Sequence, residues 1–429
     1  MVRVKSFSRW VVLSVCLVAL VPTAWAVAGP NLIAYVDGAG DLYVIQPDGN
    51  GRRKLASGEL LQSVAFPAQF GSGPDFYSWP SWSPNGTLLA CFRFFTGEET
   101  RTDALYIFDV ATSQVLNTYK EPGLQPIYAY WAPNGQQLAI LHGGPGPVFS
   151  LGLWPLSGSQ RPKTVAQGKP FYFDWQDDAQ ALAVHTINDA YESEAKDGHL
   201  VSLVHLASGK RQTVSNAPAT FGPPSWSHDG KWLAYGDAIK EENKAVLMIA
   251  PAAGGKPKSF GTLPPRITLE WSPTQPLLAV GTAASEGEPL LEELRLIDVA
   301  SGKTRTLVKD GVGAFFWSPN GERILYAKRK VDTELWTWVV VEVANGKSQE
   351  VVDFLPSRPF LVIFEFFDQY ALSHRVWSPD SKHFVFAGSV GPEANLAAAF
   401  RSPTVYAVEA VAQATPKPLS DGHVAFWSP

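Results

Sequence analysis

The sequence predicts an all-β protein, an eight-bladed β-propeller of four-stranded antiparallel blades that is closed by pairing of its N- and C-terminal strands. The first observation behind this prediction is a recurring phrase built on tryptophan. Its spacing runs from 44 residues, between Trp131 and Trp175, to 60 residues, between Trp317 and Trp377. A period of this length is typical of repeat proteins in which each repeat is one supersecondary unit. The eight tryptophans are Trp82, Trp131, Trp175, Trp226, Trp271, Trp317, Trp377 and Trp427.

A tight turn and a short apolar run follow each of these tryptophans except the last. In SWSPNGTLLACF, from Ser81, proline fixes φ, asparagine bonds its own backbone and glycine accepts a positive φ. The runs after the turns have the apolar pattern of buried strands. They are LLACF, QLAIL, ALAVH, WLAYG, LLAVG, RILYA and HFVFA. The tryptophan segment and the run therefore predict a hairpin.

A second apolar stretch and a shorter β-prone piece complete the repeat. The stretch is LYIFDVATSQ from Leu105 in one copy and LRLIDVASGK from Leu294 in another, and it ends in a turn of small residues. Pieces such as TRTLVK, from Thr304, follow. Four antiparallel strands per repeat are the content of one propeller blade.

The two ends of the chain contain complementary parts of one repeat. The stretch from Asn31, NLIAYVDGAGDLYVIQPDGNGRRKLA, has three strands and lacks the tryptophan strand. HVAFWSP, from His423 to Pro429, supplies that strand. Joining them predicts one domain over residues 31–429, with no sheet edge left open where the chain ends meet.

These motifs resemble the WD40-like propeller repeats of the TolB type, whose signature is a W-S-P-D-G turn followed by an apolar strand. The resemblance covers essentially everything after residue 30, and it implies the propeller fold. The N-terminal α/β domain of TolB has no counterpart in this sequence, so the resemblance concerns the propeller alone. Propellers host unrelated activities, so a specific partner does not follow from it.

The first 26 residues predict a signal peptide. A basic start precedes an apolar stretch that is broken at Pro22 and ends in the small-x-small pattern of Ala24, Trp25 and Ala26. We therefore expect an exported protein, periplasmic, associated with the cell envelope or secreted. The alternative is an uncleaved membrane anchor, because the apolar stretch is near the ~20 residues that span a bilayer.

The net charge, the cysteines and the absence of catalytic motifs argue against several functions for this protein. The formal net charge of −5 argues against a nucleic-acid partner, whose phosphates require a basic surface. Cys91 would be the single cysteine left after cleavage, and it lies in an apolar run, which predicts a buried thiol in a monomer without disulfides. No glycine-rich phosphate loop, close metal-ligand spacing or G-x-S-x-G is present, so we predict no catalytic residues, no metal and no cofactor.

Long loops on one face of the propeller predict a binding surface, because function usually lies on such loops. Two of them, from Ser63 and from Phe354, are rich in aromatic residues and are expected near one sector of the propeller. The leading hypothesis is a non-catalytic scaffold that binds a protein or peptide partner there. The binding residues predicted for it are Phe76, Tyr77, Trp79, Phe366, Phe367, Tyr370 and His374.

The loop from Phe354 also predicts a short helix, with Ser357 as its cap and Pro359 in its first turn. Phe360, Phe364, Phe367 and Ala371 share one stripe of that helix, whereas Phe366 and Tyr370 are expected to face outward. His374, with Asp368 and Glu365 nearby, is the histidine of greatest interest. The alternative function is a glycan-acting lyase or hydrolase with its site in the axial funnel.

Overall fold

The computed structural model describes residues 31–58, 76–94, 103–144, 146, 148–157, 161–169, 171–187, 198–219, 222–285, 287–391 and 394–429. The predicted signal peptide, residues 1–26, and the aromatic loop from Ser63 as far as Asp75 lie outside them. Strands dominate the described residues, and the three α-helices among them are short. None of these helices is long and apolar enough to cross a membrane.

One four-stranded sheet joins the two ends of the described chain. It contains β1 (Ile33–Val36), β2 (Leu42–Ile45), β3 (Arg53–Ala56) and β31 (Val424–Trp427), in the order β3-β2-β1-β31. Strand β31 runs antiparallel to β1, with Ile33 opposite Trp427 and Val36 opposite Val424.

Five more four-stranded sheets follow, each made of consecutive strands in chain order. The first comprises β4 (Phe76–Trp82), β5 (Leu88–Phe94), β6 (Ala104–Asp109) and β7 (Val115–Lys120). The second comprises β8 (Gln125–Trp131), β9 (Gln137–Gly143), β10 (Phe149–Pro155) and β11 (Lys163–Gly168). The third comprises β12 (Phe171–Trp175), β13 (Ala181–Ile187), β14 (His199–His205) and β15 (Arg211–Ser215). The fourth comprises β16 (Ser225–Trp226), β17 (Trp232–Ile239), β18 (Lys244–Pro251) and β19 (Lys258–Leu263). The fifth comprises β20 (Arg266–Trp271), β21 (Leu277–Ala283), β22 (Glu293–Asp298) and β23 (Thr304–Val308).

The remaining strands form one seven-stranded sheet instead of two separate four-stranded ones. It contains β24 (Val312–Trp317), β25 (Arg323–Arg329), β26 (Trp336–Glu342), β27 (Ser348–Pro356), β28 (His383–Val390), β29 (Thr404–Glu409) and β30 (Lys417–Asp421). The end of β27 pairs with the end of β28. Because that part of β28 is already paired, the Trp377 segment makes only an isolated bridge, to Phe384. The prediction of four full strands in every repeat is therefore wrong for this one.

Burial shows which strand of each sheet lies innermost. All five residues of β12 are buried, whereas only the last residue of β15, at the opposite side of the same sheet, is buried. The tryptophan strand is therefore the inner strand and the fourth strand is the rim. Antiparallel four-stranded sheets repeated in this way are propeller blades. The predicted all-β propeller class is confirmed at this level.

The repeat tryptophans form hydrogen bonds between neighbouring blades. Six indole N–H groups donate to the carbonyl of the residue just before the tryptophan of the preceding repeat. The pairs are Trp82 to Phe426 (3.1 Å), Trp131 to Ser81 (3.0 Å), Trp175 to Tyr130 (3.2 Å), Trp271 to Ser225 (2.9 Å), Trp317 to Glu270 (3.2 Å) and Trp377 to Phe316 (3.0 Å). The repeat therefore encodes a hydrogen bond from each inner strand to its neighbour.

Trp226 departs from this rule and offers a matched control, because its indole nitrogen is buried without a partner. We expect Trp131→Phe to lower the free energy of unfolding by about 1–3 kcal/mol more than Trp226→Phe, since only the first change leaves a buried carbonyl, that of Ser81, without its donor. Urea unfolding of both variants measures the difference. Equal losses would show that the tryptophans stabilise the blades through packing alone.

An insertion between β27 and Trp377 enters the centre of the molecule, and we call residues 357–374 the plug. It contains α1 (Arg358–Glu365) and α2 (Phe367–Tyr370), and α3 (Leu396–Arg401) lies further along the chain. The predicted helix start is confirmed: the Ser357 hydroxyl accepts from the amide of Phe360, and proline occupies the first turn. The stripe is confirmed for three members, since Phe360, Phe364 and Phe367 are all buried, whereas Ala371 is half-buried.

Candidate functional site

A polar cavity of about 490 Å³ lies on the axis, at the side where the tight turns follow the tryptophans. The turn residues Pro133, Pro273 and Pro319 line its mouth, and Arg375, just after the plug, lines its wall. The residue that precedes the tryptophan lines it in six successive repeats: Tyr130, Asp174, Ser225, Glu270, Phe316 and Val376. We call this space the axial cavity.

Asp174 supplies one of two acidic groups in the wall of the axial cavity. It lies on β12, is 3% exposed, and accepts the backbone N–H of Trp226 through Oδ2 at 2.8 Å. Burial raises the pKa of this carboxyl to about 7, against the opposing effect of the hydrogen bonds from the backbone of Trp226 and Trp175. Near neutral pH the protonated and the ionised forms of the Asp174 carboxyl are therefore both populated.

Glu270 supplies the second acidic group, on β20. It is 5% exposed, and its Oε1 has no hydrogen-bond partner. Burial raises the pKa of this carboxyl well above its usual value, and the nearby charges of Asp368 and Asp174 raise it further. Burial therefore favours the protonated form of Glu270, whose Oε1 is available to a ligand in the cavity.

Arg375 brings a positive charge to the same cavity. Its side chain opens onto the cavity, while its backbone carbonyl accepts the amide of Trp427 at 2.7 Å. Enclosure by protein lowers the pKa of the guanidinium, and the neighbouring Tyr130 opposes that shift. Arginine remains charged at neutral pH even so. His228 and Asp177 line the cavity as well, near its turn-side mouth.

The plug forms the inner end of the axial cavity. Residues 371–375 line that cavity, whereas residues 364–368 line a different cavity on the long-loop side. Between them, the side-chain amide of Gln369 bonds both the N–H and the C=O of Phe173 on β12, at 3.1 and 2.9 Å. The Tyr128 hydroxyl donates to the backbone carbonyl of Gln369 at 2.7 Å. The plug is thus fixed to the inner strands and separates the two cavities.

Most of the aromatic residues predicted to bind a partner pack against the plug or within a blade. The rings of Phe367 and Phe315 lie 4.9 Å apart, and those of Tyr370 and Trp79 lie 5.0 Å apart, both measured between ring centroids. The expectation that Tyr370 faces outward is wrong: it is 7% exposed, because its ring fills the space between Trp79, Tyr128 and His374. Phe366 does face outward, with 38% of its surface exposed.

The other predicted residues are similarly enclosed. Phe76 stacks on Phe94 at 5.2 Å and Tyr77 is buried. Trp79 has a positive φ of 56°, within a bulge of β4, and this local backbone directs its ring to the plug. Trp79 therefore contacts the plug, whereas residues 63–75 of the same loop lie outside the described residues, and the placing of both loops in one sector stays a prediction.

His374, the histidine of greatest interest in the sequence, is a buried group. It is 3% exposed, its ring lies 4.5 Å from that of Phe426, and its Nδ1 is 2.6 Å from the hydroxyl of Ser373. Burial lowers the pKa of this imidazole to about 3, so it is neutral at pH 7. Within the part of the chain that the structure describes, no three His, Cys, Asp or Glu residues are grouped closely enough to hold a metal ion.

Sequence reasoning missed Asp174, Glu270 and Arg375. A signal for the two acids was present, because the residue before the repeat tryptophan is Asp or Glu in only these two copies, whereas it is Ser, Tyr, Phe or Val in the others. A charged residue inside a buried strand is costly unless it has a role. Arg375 had no such signal, since nothing in the sequence places the end of the insertion on the axis.

Comparisons with known proteins agree with the propeller fold. No family model matches the chain. The uncharacterized peptidase YuxL of Bacillus subtilis (strain 168) is 24% identical over 202 residues, which cover 39% of this chain and 30% of that protein. An oligogalacturonate lyase from Vibrio parahaemolyticus has a TM-score of 0.49 at 14% identity, covering 77% of this chain and 84% of the other. TolB from Acinetobacter baumannii has a TM-score of 0.38 at 15% identity, covering 80% and 84%.

TolB proteins are among the similar solved structures, as the resemblance predicted, and the propeller fold itself rests on the sheet topology. The predicted function is wrong. We expected a non-catalytic propeller that binds a protein or peptide through its long-loop face, but the curated relative is named as a peptidase, which agrees better with the alternative, an enzyme.

Proposed function

We propose that this protein is a glycan-cleaving enzyme whose active site is the axial cavity. The observation that carries the proposal is the pair of buried carboxyl groups, Asp174 and Glu270, which face one cavity and whose pKa values are both raised. Two carboxyl groups that differ in protonation are what acid–base cleavage of a glycosidic bond requires. The cavity volume, about 490 Å³, falls in the range of small-ligand sites.

The proposed chemistry is hydrolysis with separate acid and base. Glu270, whose protonated form is favoured by burial, donates its proton to the glycosidic oxygen as the bond from that oxygen to the sugar carbon breaks. Asp174, ionised above about pH 7, takes a proton from the water that attacks the same carbon. The indole edges of Trp175, Trp226 and Trp271 add aromatic surface to the wall, which suits the apolar face of a sugar ring.

Arg375 favours a second candidate, elimination from an acidic sugar. A guanidinium on the cavity wall would pair with the sugar carboxylate and stabilise the negative charge that develops when the neighbouring C–H loses its proton. Asp174 would then be the base that removes this proton, and Glu270 the acid that protonates the leaving oxygen.

A single assay tests both candidates. We expect the purified protein to release new reducing ends from at least one member of a panel of neutral and uronic-acid oligosaccharides. Ultraviolet absorbance of an unsaturated uronate, alongside the reducing ends, would identify elimination, and its absence would identify hydrolysis. A folded protein that cleaves no member of either class would overturn the proposal.

The architecture proposed for this enzyme is a closed ring of eight blades. Two contacts support the closure: β31 pairs with β1, and the indole of Trp82 bonds the carbonyl of Phe426 across the two ends of the repeat array. We propose further that the chain is exported by way of residues 1–26 and acts as a monomer outside the cytoplasm. This follows from the basic start, the apolar stretch and the small-residue pattern at Ala26.

A further inference from the structure

A second cavity, of about 480 Å³, lies on the long-loop side of the plug. Plug residues 361 and 364–368 form one wall, and the inner strands β12, β20 and β24 form the others. Because Phe367 and Gln369 are buried between the two spaces, this long-loop cavity is separate from the axial cavity. Nothing in the proposed cleavage chemistry uses it.

Arg266 and the buried Asp368 line the long-loop cavity without forming an ion pair, and the exposed carboxylates of Glu288 and Glu365 line it as well. Arg266 and Asp368 influence each other electrostatically, yet no contact within 4.0 Å joins their charged atoms. A buried carboxylate and a guanidinium that share a cavity normally stabilise each other most through direct, bidentate hydrogen bonds. Their separation leaves room for a ligand that carries both a positive and a negative group.

An unpartnered hydroxyl lies in the same wall. Thr268, on β20, is 4% exposed, and its Oγ1 has no hydrogen-bond partner. Leaving a buried hydroxyl unsatisfied costs free energy, so such groups call for an explanation. A ligand that fills the cavity would supply the missing partner.

Aromatic side chains form the rest of the lining. Trp336 and Tyr172 are buried in the wall, and Phe366 stands exposed beside them. The ring of Trp336 fits over β24 because residue 313 is glycine, where a Cβ would lie 2.3 Å from the indole. The cavity therefore has an apolar, aromatic surface next to Arg266 and Asp368.

We propose that the long-loop cavity binds a free α-amino acid with an apolar or aromatic side chain. Asp368 pairs with the ammonium group of the ligand, and Arg266 pairs with its carboxylate. The Thr268 hydroxyl either donates a hydrogen bond to the carboxylate or accepts one from the ammonium group. The aromatic wall packs against the side chain of the ligand, and the ammonium group of the ligand also lies near aromatic faces. A simple anion would face the carboxylates of Asp368, Glu288 and Glu365, and a simple cation would leave Arg266 without a partner. Only a ligand with both groups satisfies the whole set.

Calorimetric titration of the full-length protein with L-phenylalanine tests this. Binding is expected, and the two half-ligands, phenethylamine and 3-phenylpropionate, are expected to bind at least tenfold more weakly, about 1.4 kcal/mol, because each lacks one charge. Failure of L-phenylalanine and of leucine and tryptophan to bind would overturn the proposal. Equal binding of a half-ligand and the amino acid would overturn it too.

Variants locate the site. Thr268→Val keeps the shape of the side chain and is expected to weaken binding severalfold, whereas Thr262→Val, on the exposed rim strand β19, should leave it unchanged. Arg266→Gln should weaken binding at least tenfold, with Arg305→Gln on the exposed side of β23 as its control. Unchanged binding in both cavity variants would place the amino acid elsewhere and refute the assignment. Glycan cleavage, assayed separately, depends on the other cavity.

Discussion

Deleting His423–Pro429 is expected to abolish cooperative unfolding. The deletion removes β31, whose Val424, Phe426 and Trp427 are each about 1% exposed or less. Each large buried side chain contributes ~1.5–3 kcal/mol through burial, so their joint loss approaches the whole stability of a typical domain, about 5–15 kcal/mol. The strand β1 would also be left with an unpaired edge that can aggregate.

Besides pairing with β1, the same seven residues contact two other parts of the molecule, β4 and the plug, which is why the expected effect is global. The carbonyl of Phe426 accepts the indole of Trp82, the ring of Phe426 contacts His374 at 4.5 Å, and the carbonyl of His423 accepts the hydroxyl of Ser357 at 2.6 Å. Loss of β31 therefore loosens the first blade and the plug together.

Circular dichroism during heating measures this effect, with light scattering to detect aggregation. A synthetic peptide of sequence HVAFWSP provides the control, because a chain that fails only for lack of β31 should recover a cooperative transition when the peptide is added in excess. A truncated protein that melts at the same temperature as the full-length protein would show that β31 is not needed to hold the terminal blades together.

The sequence predicted those features that repeat along the chain. The tight turns, the order of strands within a blade and the burial of Cys91 all follow from patterns that recur at each period. Ser357 and Pro359 predicted the start of α1 because capping depends on residues next to each other in the chain. Local patterns of this kind need no knowledge of the tertiary structure.

The plug and the axial cavity could not be predicted in the same way. The position of Tyr370 depends on Trp79 and Tyr128, which are distant in sequence and reach it only after the insertion folds into the axis. Asp174 and Glu270 come from repeats that are not adjacent, so only closure of the blades around an axis brings them to one cavity. The sequence marked these two acids as exceptions to the repeat but did not place them together.

Glu270→Gln and Asp174→Asn are expected to reduce glycan cleavage by at least about a hundredfold, the usual contribution of a positioned acid or base. Both replacements keep the size of the side chain, and the amide that replaces the Asp174 carboxyl would retain an oxygen that can accept from the backbone N–H of Trp226. Because burial disfavours the ionised form of Glu270, replacing its carboxyl with a neutral amide removes no stabilising charge. Folding should therefore survive while the rate falls.

The pH dependence separates the two roles. Asp174, with its pKa raised to about 7, must be ionised to act as a base, so the rate of the unchanged enzyme should fall as pH drops below about 7. Glu270 must be protonated to act as an acid, so the rate should fall again at high pH, where it loses its proton. Because the two carboxyl groups interact electrostatically, the apparent pKa of each limb of the pH profile is a property of the pair and not of one residue. The residual activity of Asp174→Asn should lack the acidic limb, and that of Glu270→Gln the alkaline limb.

Steady-state assays of cleavage against pH, on whichever glycan the panel identifies, measure both effects. Glu409→Gln, which replaces an exposed carboxylate at the end of β29, is the matched control and should keep the rate and the pH profile of the unchanged enzyme. If Glu270→Gln and Asp174→Asn cleave at the rate of that control, the two carboxyl groups are structural. The axial cavity would then no longer be a candidate active site, because no other pair of buried acids lines it among the residues that the structure describes.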